Sequence, residues 1–169
     1  GLGKIVHQRL EALNEGDDFA YAQSVNHWLD GAGKPMLIER RWTAIQLLSA
    51  TEWMLMVDIR LQAANEPVTF GKTPFGLLGV RMAKSIGAND GGGSIRNSEG
   101  ASGENDVLWR PAKWVDYSGP IVGTNVEGIT LMDHPSNVTF PSYFHVRNDG
   151  WMGASISYSK PLIVRPNAR

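Results

Sequence analysis

Residues Trp53 to Ala64 read WMLMVDIRLQAA. Leu55, Val57, Ile59, Leu61 and Ala63 fall on one side of an extended chain, and Asp58, Arg60 and Gln62 on the other. A period of two predicts a half-buried antiparallel strand, because a helix would scatter those polar side chains around its circumference. The segment before it, Pro35 to Ser49, is read as a second strand. It is entered through Gly31–Gly33 and left through Ala50-Thr51-Glu52, which predicts a hairpin with the Trp53 strand. Its ERRWTAIQLLSA stretch is also rich in helix formers, but its neighbours are strands and no capping box precedes it.

Working outward, further strands are predicted at Lys4–Glu11, Phe19–Leu29, Gly76–Met82, Lys113–Tyr117, Gly128–Met132, Ser142–Arg147 and Trp151–Tyr158. Glycine or proline marks most junctions, among them Pro67, Gly71, Pro74, Pro111, Gly123, Pro135, Pro141 and Gly150. Short strands separated this way predict an all-β protein, an antiparallel β-sandwich or barrel. One stretch differs. Gly87 to Asp106, GANDGGGSIRNSEGASGEND, is small and polar, and reads as a long loop with one short strand at Ser94–Asn97. A loop of that length is either a floppy surface excursion or a lid or rim over a cleft.

Composition narrows the chemistry. The 169 residues carry 16 basic and 17 acidic side chains, a formal charge of -1. That balance gives no electrostatic footprint for nucleic acid or an anionic membrane, and no apolar run approaches the length of a spanning helix. The length predicts one domain over residues 1–169. With no cysteine, disulfides, thiolate metal sites and a cysteine nucleophile are excluded. No secretory leader is visible at Gly1. GGGSIRNSEG lacks both phosphate-loop patterns and has no strong helix signal after it, so nucleotide binding is not expected.

Four histidines are present, and none forms an HExxH pair. Asp133-His134-Pro135 ends one predicted strand, and His145 shares a strand face with Arg147, as Asn97 would with Glu99. If neighbouring strands end together, Asp133, His134, His145 and Arg147 could converge into a polar cleft able to move protons at neutral pH and to grip hydroxyls or a carboxylate. The competing reading makes each histidine a hydrogen-bonded structural residue. A metal site of His134, His145 and Glu99 lacks ligand spacing, and no metal or cofactor is expected. Of six tryptophans, Trp109 and Trp114 flank RPAK after the polar loop. An indole face beside a cleft can stack on a sugar ring; Trp114 is assigned to the core and Trp109 is left between core and cleft.

Five motifs occur in order: TPFGLLGVRMAKSI (Thr73 to Ile86), IRNSEG (Ile95 to Gly100), PAKWVDYSGP (Pro111 to Pro120), GITLMDHPSN (Gly128 to Asn137) and FPSYFHVRNDG (Phe140 to Gly150). Together the chain resembles the bacterial family described as methane oxygenase PmoA-like, a family of unknown function. The resemblance implies a soluble, frequently exported β-sandwich in bacteria that degrade polysaccharides, of which this chain would be a piece incomplete at both ends. A mutarotase-like supersandwich is the related architecture. Literal methane oxygenase activity is not expected, since a tighter His or carboxylate constellation would be needed. The matching residues capable of chemistry are Arg81, Asn97, Glu99, Asp116, His134, His145 and Arg147. Three functions stay open, with a metal-dependent oxidoreductase as a remoter fourth. A carbohydrate-active isomerase, lyase or hydrolase would use His134 or His145 with Glu99 or Asp133 in acid–base roles, and Arg81, Asn97, Asp116, Arg147 and Trp109 on the substrate. A non-catalytic module would bind a small molecule or oligosaccharide through aromatic residues. A scaffold would have no ligand at all.

Overall fold

The computed structural model describes residues 2–123 and 125–166. The two chain ends, at which the resemblance implies an incomplete domain, lie outside them. The fold is all-β and antiparallel, in several open sheets. Its strands are β1 (Lys4–Asn14), β2 (Phe19–Leu29), β3 (Pro35–Leu47), β4 (Trp53–Ala63), β5 (Val68–Phe70), β6 (Leu78–Arg81), β7 (Ser94–Asn97), β8 (Arg110–Pro111), β9 (Trp114–Val122), β10 (Asn125–Met132), β11 (Tyr143–Val146), β12 (Trp151–Ser155) and β13 (Leu162–Val164), with one short helix, α1 (Glu104–Val107). The chain forms two compact units. One holds the residues up to 69 together with the chain from 163, and the other holds residues 70–162.

The first unit is a meander in the order β1-β2-β3-β4. The Pro35 segment is a strand, and it pairs with β4 over its full length, from Leu37 opposite Ala63 to Leu47 opposite Trp53. The hairpin closes where Leu48 and Ser49 donate their N–H groups to the Glu52 carbonyl. β-Branched and aromatic residues hold the extended conformation here against the helix formers of ERRWTAIQLLSA. The alternation in β4 survives: Asp58 and Arg60 are exposed on one face, while Ala63 is buried on the other. β5 pairs with β13 in a two-stranded sheet.

The second unit is a small sandwich. One sheet has the order β10-β9-β7 and the other β6-β12-β11-β8. Alternate residues point inward and close the core: Ile95 from β7, Val115 and Tyr117 from β9, Phe144 and Val146 from β11, Met152 from β12, and Val107 from α1. The odd positions of β11 and the even positions of β9 therefore face outward, which decides where every candidate side chain goes.

The glycine-rich stretch is folded and not an unstructured excursion. It holds β7 and the start of α1, with Ile95 and Asn97 buried. A Cβ on Gly91 would lie 1.7 Å from the Ser85 carbonyl oxygen, and one on Gly93 1.7 Å from that of Ile86. The triple glycine lets two backbone segments touch where any side chain would separate them.

Candidate functional site

The nine expected site residues lie in the second unit, and the strand faces divide them among separate places. Asp133 follows β10, where it is buried. One carboxylate oxygen accepts the Asn137 side-chain amide at 2.6 Å, and the other accepts the Ser142 N–H at 2.7 Å. Both oxygens are thus engaged in fastening the Pro135–Pro141 loop. His134 beside it is exposed, with Nδ1 2.7 Å from the Ser136 hydroxyl and accepting the Ser136 N–H. Ser142 and His145 are three residues apart on an extended chain, roughly 10 Å, and strand alternation turns them to opposite faces. Asp133 and His134 are held at the far end of that strand from His145.

His145 points out of the sandwich with Arg147. Trp109 stacks on it at 6.3 Å between ring centroids, and Phe75 meets it edge-on at 4.9 Å. Tyr158 lies 6.4 Å from Trp109 and stacks on Tyr143 at 4.5 Å. Trp109 reaches this cluster because its backbone adopts φ 57, a left-handed conformation uncommon outside glycine. Its N–H is anchored 2.7 Å from the Phe144 carbonyl. Burial lowers the His145 pKa below its ordinary 6.5, and the Arg147 guanidinium pushes the same way. Nδ1 is buried with no hydrogen-bond partner among the described residues. An imidazolium would strand an N–H there, so the neutral ring is favoured.

The sign of the resulting pH effect follows. The unfolded chain takes up the His145 proton near pH 6.5 and the folded chain only below that, so folding stability is present above pH 6.5 and falls as pH drops through the lowered value. Urea midpoints measured between pH 7.5 and 5 should decline less in His145→Phe than in the unaltered protein. Parallel curves would remove the assignment.

Arg81 sits on β6, with an ion pair to Asp149 at 3.4 Å and its guanidinium 5.6 Å from the centre of the Trp151 ring. Arg147 pairs with Glu104 at 3.3 Å. Glu99 lies past the end of β7 in an exposed turn, where it accepts the Ser98 hydroxyl, so it shares no strand face with Asn97. Asn97 is buried and shapes that turn, its side-chain oxygen accepting the Glu99 and Ala101 N–H groups at 3.0 Å each.

A cleft of about 480 Å³ opens over the outer face of the β10-β9-β7 sheet. Asp116 stands at its centre. One carboxylate oxygen accepts Thr130 Oγ1 at 2.9 Å; the other accepts Arg96 at 3.2 Å and Ser118 Oγ at 3.0 Å. Register places Trp114 opposite Met132 and Asp116 opposite both Thr130 and Arg96. Asn97, Gly100, Ala101 and Ser102 wall one end. Asp116 and Asn97 are thus the two expected residues that this cleft brings together. Trp114 is not core: it is 36% exposed and lines the cleft. Arg96 and Thr130 escaped the sequence reading too. The signal was available in WVDYSG, where Val115 and Tyr117 take the inner face and leave Trp114, Asp116 and Ser118 outside. Among the described residues, no three His, Asp or Glu side chains are grouped to hold a metal ion.

A family model described as a family of unknown function, DUF6807, matches residues 1–169. That match corrects the methane oxygenase PmoA-like assignment, since DUF6807 is the family the comparison supports. The motifs that carried the resemblance fall on β6, β7, β9, β10 and β11 and on the turns beside them. No curated protein and no solved structure matches the chain.

Proposed function

We propose a carbohydrate-binding role for this chain, which belongs to the DUF6807 family of unknown function, with the ligand in the cleft over β9. The observation that carries the reading is the pairing of chemistries across that cleft. Trp114 and Met132 offer an apolar side on which the C–H face of a pyranose can lie. Asp116 and Arg96, already ion-paired and so held in place, offer an acceptor and several donors to hydroxyls. Arg96 keeps most of its side chain in solvent, leaving N–H groups free of the carboxylate.

Binding is favoured over acid–base catalysis by the partners of the other candidates. Asp133 has both oxygens engaged, and His134 is tied to its own turn. His145 is packed among aromatic rings, with Arg147 and not a carboxylate as its strongest charged neighbour. A general acid–base pair needs two titratable groups around one reacting atom, and these three stand apart.

Calorimetric titration against neutral xylo-, cello-, manno- and galacto-oligosaccharides should give heat with at least one. Trp114→Ala and Asp116→Ala should each weaken it about 10- to 100-fold, the worth of a lost stacking face or a charge-assisted hydrogen bond. No heat with any sugar, or affinity unchanged in Trp114→Ala, would overturn the proposal.

A further inference from the structure

The meander of the first unit carries a second, unrelated concentration of polar chemistry. One of its faces presents Tyr21, Gln23 and Val25 from β2, Arg40, Trp42 and Ala44 from β3, and Met56, Asp58 and Arg60 from β4. Register sets Arg9 opposite Val25, Val25 opposite Arg40, and Arg40 opposite Arg60, so three arginines stand in one row across four strands. Arg9 is ion-paired with Glu11 at 2.6 Å and Arg60 with Asp58 at 3.2 Å. Arg40 has no ion pair and no side-chain hydrogen bond among the described residues. Like charges directly opposite one another on neighbouring strands destabilise a sheet.

Beside the row is a concavity of about 310 Å³ lined by Gln23, Arg40, Arg41, Trp42, Asp58 and Arg60. Trp42 forms its aromatic side, with Tyr21 at 6.1 Å and Phe19 at 6.4 Å between ring centroids. Arg40 and Trp42 are two residues apart on one strand, hence about 7 Å apart on the same face. An indole at that distance from an unpaired guanidinium, with a second guanidinium across the rung, suits a ring that has an apolar C–H face and bears a carboxylate.

We propose that this face binds an acidic sugar, a pyranose carrying a carboxylate, with Trp42 under the ring, Arg40 and Arg60 on the carboxylate, and the Gln23 amide on a hydroxyl. The proposal stands on the arginine row and does not depend on the Trp114 cleft. The bound anion would compensate the repulsion that the bare sheet carries.

The test titrates the full chain with a galacturonate trisaccharide and with the same trisaccharide methyl-esterified at its carboxyls. The acid should bind, more weakly as salt rises, and the ester at least 10-fold less well. Arg40→Gln and Trp42→Ala should each lose at least 10-fold, while Trp114→Ala should leave this binding unchanged. Arg40→Gln should melt at the same temperature as the unaltered protein or higher, since it removes a like-charge contact. Equal affinity for acid and ester, full affinity in Arg40→Gln, a lowered melting temperature in Arg40→Gln, or complete displacement by equimolar inorganic sulfate would each overturn the assignment.

Discussion

Glu39→Ala is expected to lower the unfolding free energy by about 3–5 kcal/mol, the range for removing one member of a buried ionic group. Glu39 lies mid-strand in β3 with 0% of its surface exposed. Three side chains converge on its carboxylate: Trp28 Nε1 at 2.6 Å, the Asn26 amide at 3.0 Å, and Arg41 Nε at 2.7 Å. His7 Nδ1 extends the network from Asn26 at 3.2 Å. Alanine would remove the acceptor that the indole and amide N–H groups share and open a cavity beside them. The Arg41 charge moderates the loss, because its partly exposed side chain can turn to water. Its Nε also approaches the carboxylate off the hydrogen-bond axis, so the contact is an ion pair more than a directed bond. Glu39→Gln keeps an acceptor for Trp28 and should cost clearly less than alanine. Urea unfolding followed by tryptophan fluorescence measures both, and a loss under about 1 kcal/mol in Glu39→Ala would mean that water already reaches the network.

The fate of Glu39 shows where sequence reading stops. Nothing in LIERRW marks the glutamate as buried, because alternation only places Leu37, Glu39 and Arg41 on one side of a strand. Its burial follows from β2, where register brings Asn26 opposite Glu39 and sets Trp28 opposite Leu37, from where its indole reaches the carboxylate diagonally. Turn signals placed β2 and β7 with their observed ends, and alternation placed β4 to within a residue, since turns and periodicity are local properties. The convergence of site residues is not local. Asp133 and His145 are near in sequence, yet the Ser142 N–H captures the carboxylate at one end of β11 while the ring turns to the other face. Strands too short to show periodicity, β5, β8 and β13, carry no signal of their own and exist through their partners.

Phe144→Ala tests the sandwich of the second unit, with an expected loss of about 3–5 kcal/mol, as for other buried aromatic truncations. Phe144 is fully buried on β11 and belongs to the cluster formed by Val107, Val115, Tyr117, Val146 and Met152. Truncation removes the ring from between two sheets whose backbones are fixed by their own ladders, so the void cannot collapse cheaply. Tyr117 limits collapse further. Its hydroxyl donates to the Asn148 carbonyl at 3.0 Å and accepts the Ala88 N–H at 2.8 Å, which holds the ring in place. Phe144→Leu keeps most of the volume and should cost under about 1.5 kcal/mol. The neighbouring position sharpens the comparison. His145 projects from the opposite face of the same strand, so His145→Ala should cost far less than Phe144→Ala although both lose a ring. Equal losses at the two positions would mean that β11 is not sided as the sandwich requires. Trp114 and Asp116 would then lose the reason for facing outward, since their orientation depends on the same core claiming Val115 and Tyr117.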